Sequence, residues 1–433
     1  MNKQKIGLYT ATSIVVANMV GTGVFTSLGF QVAGLHSGFS IMLLWITGGI
    51  VAFTGALCYG ELGSMFPQSG GEYNYLSKIY HPALGFAAGW VSVTVGFAAP
   101  VAAAAMALGA YAHGACSFIN PLILAASVVV LISSIHSLSI KGGSTFQNYT
   151  TSIKVVAIVL IICFGLFNAH SGDIQFAYNS MVNDEILSSS FATSFFFVSL
   201  AYSGWNAAGY IASDMESPQQ NLPKSLLYGT LLVTILYVAI NFVFMYVTPI
   251  AAMSNENGPI VDIAGVAAKY IFGVAGGKIM SSIIAFLLIS TISAMIIAGP
   301  RVTQSMGNDH SLFKLFSKTS KNGVPAIAII TQSLISLIFI FTSSFSEVVI
   351  YISFTLNLFT FLAVAGIIVM RVKHPNMERP YKTWGYPIVP ILFLLITGYL
   401  MYFGLLSNLK ESILGLFTAI LGIAIYFITL KRK

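Results

Sequence analysis

Blocks of about twenty or more apolar residues recur along this chain with almost no charge inside them, and such blocks are built for lipid. By their flanks they run over residues 6–33, 38–66, 83–112, 119–140, 147–168, 190–212, 225–248, 275–299, 324–344, 347–371, 387–407 and 411–430. They are helix-length, and the roughly ten-residue alternation of a membrane barrel is absent. Of the 433 residues, 56% are hydrophobic and 8% charged, with a mean hydropathy of +0.85, which excludes a soluble domain. The expected fold is all-α and integral to the membrane, with twelve transmembrane helices. The first block is too long and too glycine-broken for a cleaved signal peptide, so it is expected to be retained.

A formal charge of +7 would suit a nucleic-acid partner, but its distribution argues against one. With the N-terminus inside, the inner loops and tails hold Lys3, Lys5, Lys78, Lys141, Lys224, Arg301, Lys314, Lys318, Lys321, Arg371, Lys373, Arg379, Lys382, Lys431, Arg432 and Lys433, sixteen of the twenty Lys and Arg. The outer side keeps Lys269, Lys278 and Lys410. This bias orients the chain with both termini cytoplasmic, as a multi-pass protein of the cytoplasmic membrane. Cys58, Cys116 and Cys163 are odd in number and lie in or near apolar blocks, so no disulfide framework and no metal site is expected. Cys116, in the outer loop after the third block, leaves open a bridge to a partner subunit.

Two blocks are interrupted. In the first, Met19-Val20-Gly21-Thr22-Gly23-Val24-Phe25 puts two glycines at mid-depth, each costing a helix about 1 kcal/mol relative to alanine. Small residues let helices pack closely; alternatively the helix comes apart, and loose backbone is tolerated in hydrocarbon only inside protein or along a polar cavity. The sixth block carries Leu200-Ala201-Tyr202-Ser203-Gly204-Trp205-Asn206, then resumes over Ala207–Ser213 before the acidic exit at Asp214 and Glu216. Five spans separate the pair, so the two halves enter from opposite sides as an inverted repeat. Paired interruptions in corresponding positions point to a transporter's binding site.

The remaining polar residues are few. Lys154 lies about seven residues, or ~10 Å, inside the fifth block. An ammonium there costs several kcal/mol and defaults to a functional hypothesis, with snorkelling toward the cytoplasm as the bland alternative. Glu61, near the inner end of the second block, reads as a local cap or pair or as part of an inner gate. The third block is rich in small residues, from Gly96 to Gly109, and suits a central helix. Ser290, Thr291, Ser293, Tyr351 and Asn357 each read as interhelical packing when taken alone. The outer loop with Asn255, Glu256, Asn257, Gly258 and Pro259 is long enough for a lid, and 301–323 reads as an inner amphipathic segment along the membrane face.

Over its full length the chain resembles the amino acid–polyamine–organocation transporters, especially bacterial relatives of the L-type and cationic amino acid permeases. The carrying stretches are Val20-Gly21-Thr22-Gly23-Val24-Phe25, Glu61 to Tyr73, Tyr202-Ser203-Gly204-Trp205-Asn206, Asn221-Leu222-Pro223, Gly299-Pro300-Arg301 and Arg379-Pro380-Tyr381 with Tyr386-Pro387. The resemblance implies a LeuT-like 5+5 inverted repeat with two further helices: a first repeat over 1–168, a second over 190–371, and an appended pair over 386–430. It also implies that a substrate carboxylate meets the amides of Gly21, Thr22 and Gly23. The α-amino group would meet carbonyls near Met19 and Val20 and in Leu200, Ala201, Tyr202 and Ser203, with Asn206 beside them. Lys154 matches the fifth-helix lysine of sodium-independent members, with Thr291 as its partner on helix 8.

The expected function is sodium-independent transport of neutral, small to medium L-amino acids by alternating access, as an exchanger or with a proton as coupling ion. The alternatives are a cationic amino acid or polyamine exchanger and a non-transporting sensor. Ser203 stands where many relatives have glycine, which disfavours large aromatic substrates. No carboxylate occurs mid-span in helices 3, 6, 8 or 10, which disfavours cationic ones. Expected partners are an amino acid and membrane lipid, with no cofactor, no nucleic acid and no enzymatic chemistry, since the spans hold no metal-ligand cluster or activated nucleophile.

Overall fold

Where the apolar blocks fall, the chain is helical almost throughout in the computed structural model, which describes residues 5–138, 143–167, 172–255, 258–320 and 323–430. Among the expected landmarks, Lys3, Lys141, Lys321, Lys431, Arg432, Lys433, Glu256 and Asn257 lie outside those residues. The α-helices in order are α1 Leu8–Met19, α2 Gly23–Val32, α3 Gly38–Met65, α4 Glu72–Ile79, α5 Pro82–Val91, α6 Ala98–Ala115, α7 Pro121–Leu138 and α8 Gly143–Phe167. They continue with α9 Met181–Ile186, α10 Ser189–Tyr202, α11 Pro218–Val247, α12 Ile263–Asp309, α13 Ala326–Thr342, α14 Phe345–Lys373, α15 Ile388–Ser407 and α16 Leu409–Leu430. A π-helical turn over Ser92–Gly96 joins α5 to α6, and a 3-10 helix over Ala207–Asp214 follows α10.

Among the described residues, ten segments are long and apolar enough to cross a membrane, with α1–α2 and α5–α6 each counted as one and α13 shorter. Side chains such as Ile123, Leu131, Leu160, Ile235, Ile338 and Leu395 stand exposed on the outside of the bundle. Apolar surface of that extent belongs against lipid tails, and this is a multi-pass membrane protein. Helix starts are read locally: Ser37 and Ser188 accept from amides three residues on, Ser344 and Glu347 form a capping box, and Pro82 and Pro121 open their helices.

The eighth block departs from expectation. α12 is two helices meeting at the non-helical Gly273 (φ 76°, ψ 179°). A short one runs from Ile263, where the sequence reads as loop; the second starts close to the expected 275 and ends at Asp309, ten after the expected 299. Asp262 caps the first by accepting from the Gly265 N–H at 2.9 Å. Pro300 lies inside the helix without ending it. In the outer loop Ser254–Asn255 pairs antiparallel with Gly258–Pro259. The expected inner amphipathic segment is the end of α12 followed by a 3-10 helix over Ser311–Ser317.

The small-residue helix α6 is buried along most of its length and packs along α12, while α3 packs along α11. At one end of the bundle Phe30 stacks on Phe197 (4.5 Å) and Phe345 (5.5 Å), and the Ile260 carbonyl sits where a side chain at Gly29 would be. At the other end Glu61 holds the α14–α15 connection. Its buried carboxylate accepts from Arg371 Nε (3.0 Å), Arg371 Nη2 (2.7 Å) and the Thr383 N–H (2.7 Å), with Arg379 at 3.5 Å. Glu61 thus pairs across the fold, where sequence reading offered a local cap or an inner gate.

Removing one partner of a buried pair costs about 3–5 kcal/mol. Arg371 keeps 21% of its side-chain surface exposed, so Glu61→Gln is expected at the low end, about 3 kcal/mol. Thermal melting in detergent checks this, and a melting point unchanged from wild type would show that the clamp contributes nothing.

Candidate functional site

The first interruption is real backbone. α1 ends at Met19, Val20 turns with φ −74° and ψ 76°, and the Gly21 N–H donates to the Met19 carbonyl at 2.7 Å, a three-residue turn. α2 then starts at Gly23. Among the described residues, the amides of Thr22, Gly23 and Val24 have no acceptor. A helix start leaves such donors unpaired and carries about half a positive charge.

The second interruption lies against the first. α10 stops at Tyr202, Gly204 adopts φ 91°, and the chain resumes as the 3-10 helix rather than the expected α-helix. Ser203 donates twice to the Leu200 carbonyl, from its N–H (2.9 Å) and its Oγ (2.7 Å). The carbonyls of Gly21, Ala201, Tyr202 and Ser203 accept no hydrogen bond among the described residues. Two glycines let the breaks touch: a Cβ at Gly23 would overlap Ala201, and one at Gly204 would come within 2.8 Å of the Asn18 carbonyl oxygen. The two broken segments are also tied at the end that carries Ile6 and Asp214, since Ile6 N–H donates to the Asp214 carbonyl (2.8 Å) and Glu216 N–H to the Ile6 carbonyl (2.9 Å).

Lys154 is 1% exposed, which leaves no room for snorkelling. Its Nζ donates to Thr291 Oγ1 on α12 at 2.7 Å and to the Val20 carbonyl at 3.3 Å. The ammonium therefore joins α8, α12 and the carbonyl side of the first break. It makes no ion pair among the described residues. Tyr237 on α11 completes the support, donating its hydroxyl to the Met19 carbonyl at 2.6 Å.

Both breaks line a cavity of about 710 Å³. Met19, Gly21, Thr22, Gly23, Leu200, Tyr202, Ser203, Asn206 and Thr291 are on its wall, while Val20 and Ala201 are packed behind it. The cavity reaches the end of the bundle that carries Gln68, Asp214, Arg301 and Asp309, all exposed, and stops short of the aromatic seal at the other end.

Several expected contributions move. The Gly21 amide is used within its own turn, so the open donors begin one residue later. The Met19 and Leu200 carbonyls are each taken by two donors, leaving those of Gly21 and residues 201–203 open. The Tyr202 hydroxyl donates to the Trp45 carbonyl (3.0 Å), and Asn206 Nδ2 donates to Glu72 Oε1 (2.6 Å). Asn357 Nδ2 donates to Ser199 Oγ (2.9 Å), both on the cavity wall. Sequence reading missed Tyr237 and the contacts of Glu72. A phenol inside an apolar block needs a hydrogen-bond partner and was a usable signal for the first; a carboxylate after Gly70-Gly71 carries no comparable signal.

The family model described as "Amino acid permease" matches residues 6–426. The chain belongs to the amino acid permease family. Its relatives include the b(0,+)-type amino acid transporter 1 of Mus musculus, 28% identical over 441 residues, covering 100% of this chain and 89% of that one. The serine/threonine exchanger SteT of Bacillus subtilis is 28% identical over 439 residues, covering 100% and 98%. The large neutral amino acids transporter small subunit 2 of Mus musculus is 27% identical over 456 residues, covering 98% and 81%. Relatives and family are transporters, and this permease is a transporter in the same sense.

Proposed function

We propose that this permease carries neutral, small to medium L-amino acids across the cytoplasmic membrane by alternating access, independently of sodium, as an exchanger or a proton-coupled symporter. The observation that carries the reading is the meeting of the open amides of Thr22 and Gly23 with the open carbonyls of Gly21, Tyr202 and Ser203 on one cavity wall. A zwitterion fits such a pair of backbone ends in one orientation: carboxylate on the helix start, ammonium on the carbonyls. Lys154 would occupy the place of a coupling cation, tethering α8 and α12 to the first break. The same reading takes the fold as twelve spans in a LeuT-like inverted repeat, with repeats over 1–168 and 190–371 and an appended pair over 386–430. Both termini would be cytoplasmic, and the open end of the cavity would face the cytoplasm.

Cationic amino acid or polyamine exchange is the second reading. One observation favours it: Glu72, from the loop helix α4, puts a buried carboxylate on the cavity wall beside the second break, where helices 3, 6, 8 and 10 carry none mid-span. The deciding experiment is a substrate panel in proteoliposomes, with and without internal amino acid, a pH gradient and sodium. Alanine or leucine accumulation driven by internal amino acid supports the lead. Inhibition by arginine favours the second reading, and binding without accumulation points to a sensor. Thr22→Leu and Ser203→Leu are each expected to raise the alanine KM at least tenfold, about 1.4 kcal/mol; unchanged KM in both would move the site elsewhere.

A further inference from the structure

Glu72 is 7% exposed and makes no ion pair among the described residues, yet it stands at the meeting point of three elements. Its Oε1 accepts from the Tyr59 hydroxyl (2.7 Å, α3) and Asn206 Nδ2 (2.6 Å), and its Oε2 accepts from the Tyr210 hydroxyl (2.6 Å). Asn206 closes the second break and Tyr210 lies in the 3-10 helix below it. The Tyr210 ring packs on Gly71 where a side chain would collide with it, and Tyr59 meets the Trp205 ring edge-on at 4.7 Å. The neighbouring Tyr73 donates to Asp309 Oδ2 (2.9 Å), so α4 is anchored at the same time to the end of α12.

A carboxylate offers roughly four acceptor positions, and three are filled by protein donors. Little is left for a ligand. Hydrogen bonds to an ionised acceptor are stronger than neutral ones, so the donors are held in place with directional preference. Residues 203–206 lie outside the regular helix and make only turn bonds, with the Gly204 and Asn206 carbonyls accepting from Ala207 and Gly209 N–H, while the Ser203 carbonyl stays open as part of the site.

We propose that Glu72 is a positioning residue: it sets the geometry of the second break, and through it the affinity for substrate, by holding Asn206 and Tyr210. The inference rests on the transport reading above. Without the carboxylate, segment 203–214 loses the anchors at Asn206 and Tyr210, keeps the Ser213–Ser69 side-chain contact at its far end (2.6 Å), and samples arrangements in which the open carbonyls no longer converge.

The test uses full-length protein in proteoliposomes with Glu72→Gln, Tyr210→Phe and the double variant. Each single variant is expected to raise the KM for labelled alanine about tenfold. The double variant is expected to be no worse than the weaker-binding single, because both remove one interaction. Hydrogen exchange over 200–214 should quicken in both variants, a readout that needs no substrate. Unchanged alanine KM with only lower yield or melting point would overturn the inference, as would additive effects or unchanged exchange. Loss of arginine inhibition alone would also overturn it and make Glu72 a counter-ion. If Glu72→Gln does not insert, Tyr210→Phe, which removes a single hydroxyl, carries the test. A wild type that accumulates no amino acid would sink the transport reading, while the exchange measurement would still decide the role of Glu72.

Discussion

Replacing Lys154 by alanine is expected to cut amino acid exchange in proteoliposomes at least about a hundredfold while leaving insertion and folding intact. The ammonium makes two hydrogen bonds, to Thr291 Oγ1 and the Val20 carbonyl. Bonds to a charged donor contribute about 1.5–3 kcal/mol each. Two such bonds, made in one arrangement of the break and lost in another, correspond to a hundredfold or more at about 1.4 kcal/mol per factor of ten. The folded state loses much less, because the variant also relieves the desolvation of a buried charge that has no carboxylate partner among the described residues. Transport should therefore collapse where thermal melting does not. Wild-type rates with wild-type pH dependence in this variant would remove Lys154 from the mechanism.

The second large effect is steric. Gly23→Ala would drive a methyl group into the Ala201 backbone, whereas the same change at Gly21 meets nothing nearer than 3.9 Å. At Gly23 the obstacle is main chain, which cannot rotate away, so the two breaks must separate. Overpacking of this kind costs about 1–3 kcal/mol, and the separation falls on the carbonyls and amides of the proposed site. Gly23→Ala is expected to abolish uptake and lower the melting point; Gly21→Ala is expected to melt like wild type. If the two variants behave alike, the two breaks are not in contact as described.

Much of this architecture was legible in one dimension because lipid makes it so. Backbone polar groups in hydrocarbon must bond within their own segment, so each span announces itself by length and apolarity, and each lapse, at Gly21-Thr22-Gly23 and Ser203-Gly204, stands out against it. Lys154 was conspicuous for the same reason. Helix α12 was misjudged at its far end, because Pro300 looks like a terminator yet lies inside the helix, whereas Gly273 does break it close to the expected start.

Pairing was the part beyond reach. That the Gly21 amide turns inward, that Tyr237 takes the Met19 carbonyl, that Glu61 reaches Arg371 and that Glu72 collects Tyr59, Asn206 and Tyr210 all depend on groups brought together from far along the chain. A polar side chain inside a membrane protein must find a partner, but its own neighbours do not say which one. The sequence by itself determined where the helices run and where two of them fail. The tertiary structure decided which loose backbone groups remain open, because only the packed neighbours determine which donors and acceptors are already used.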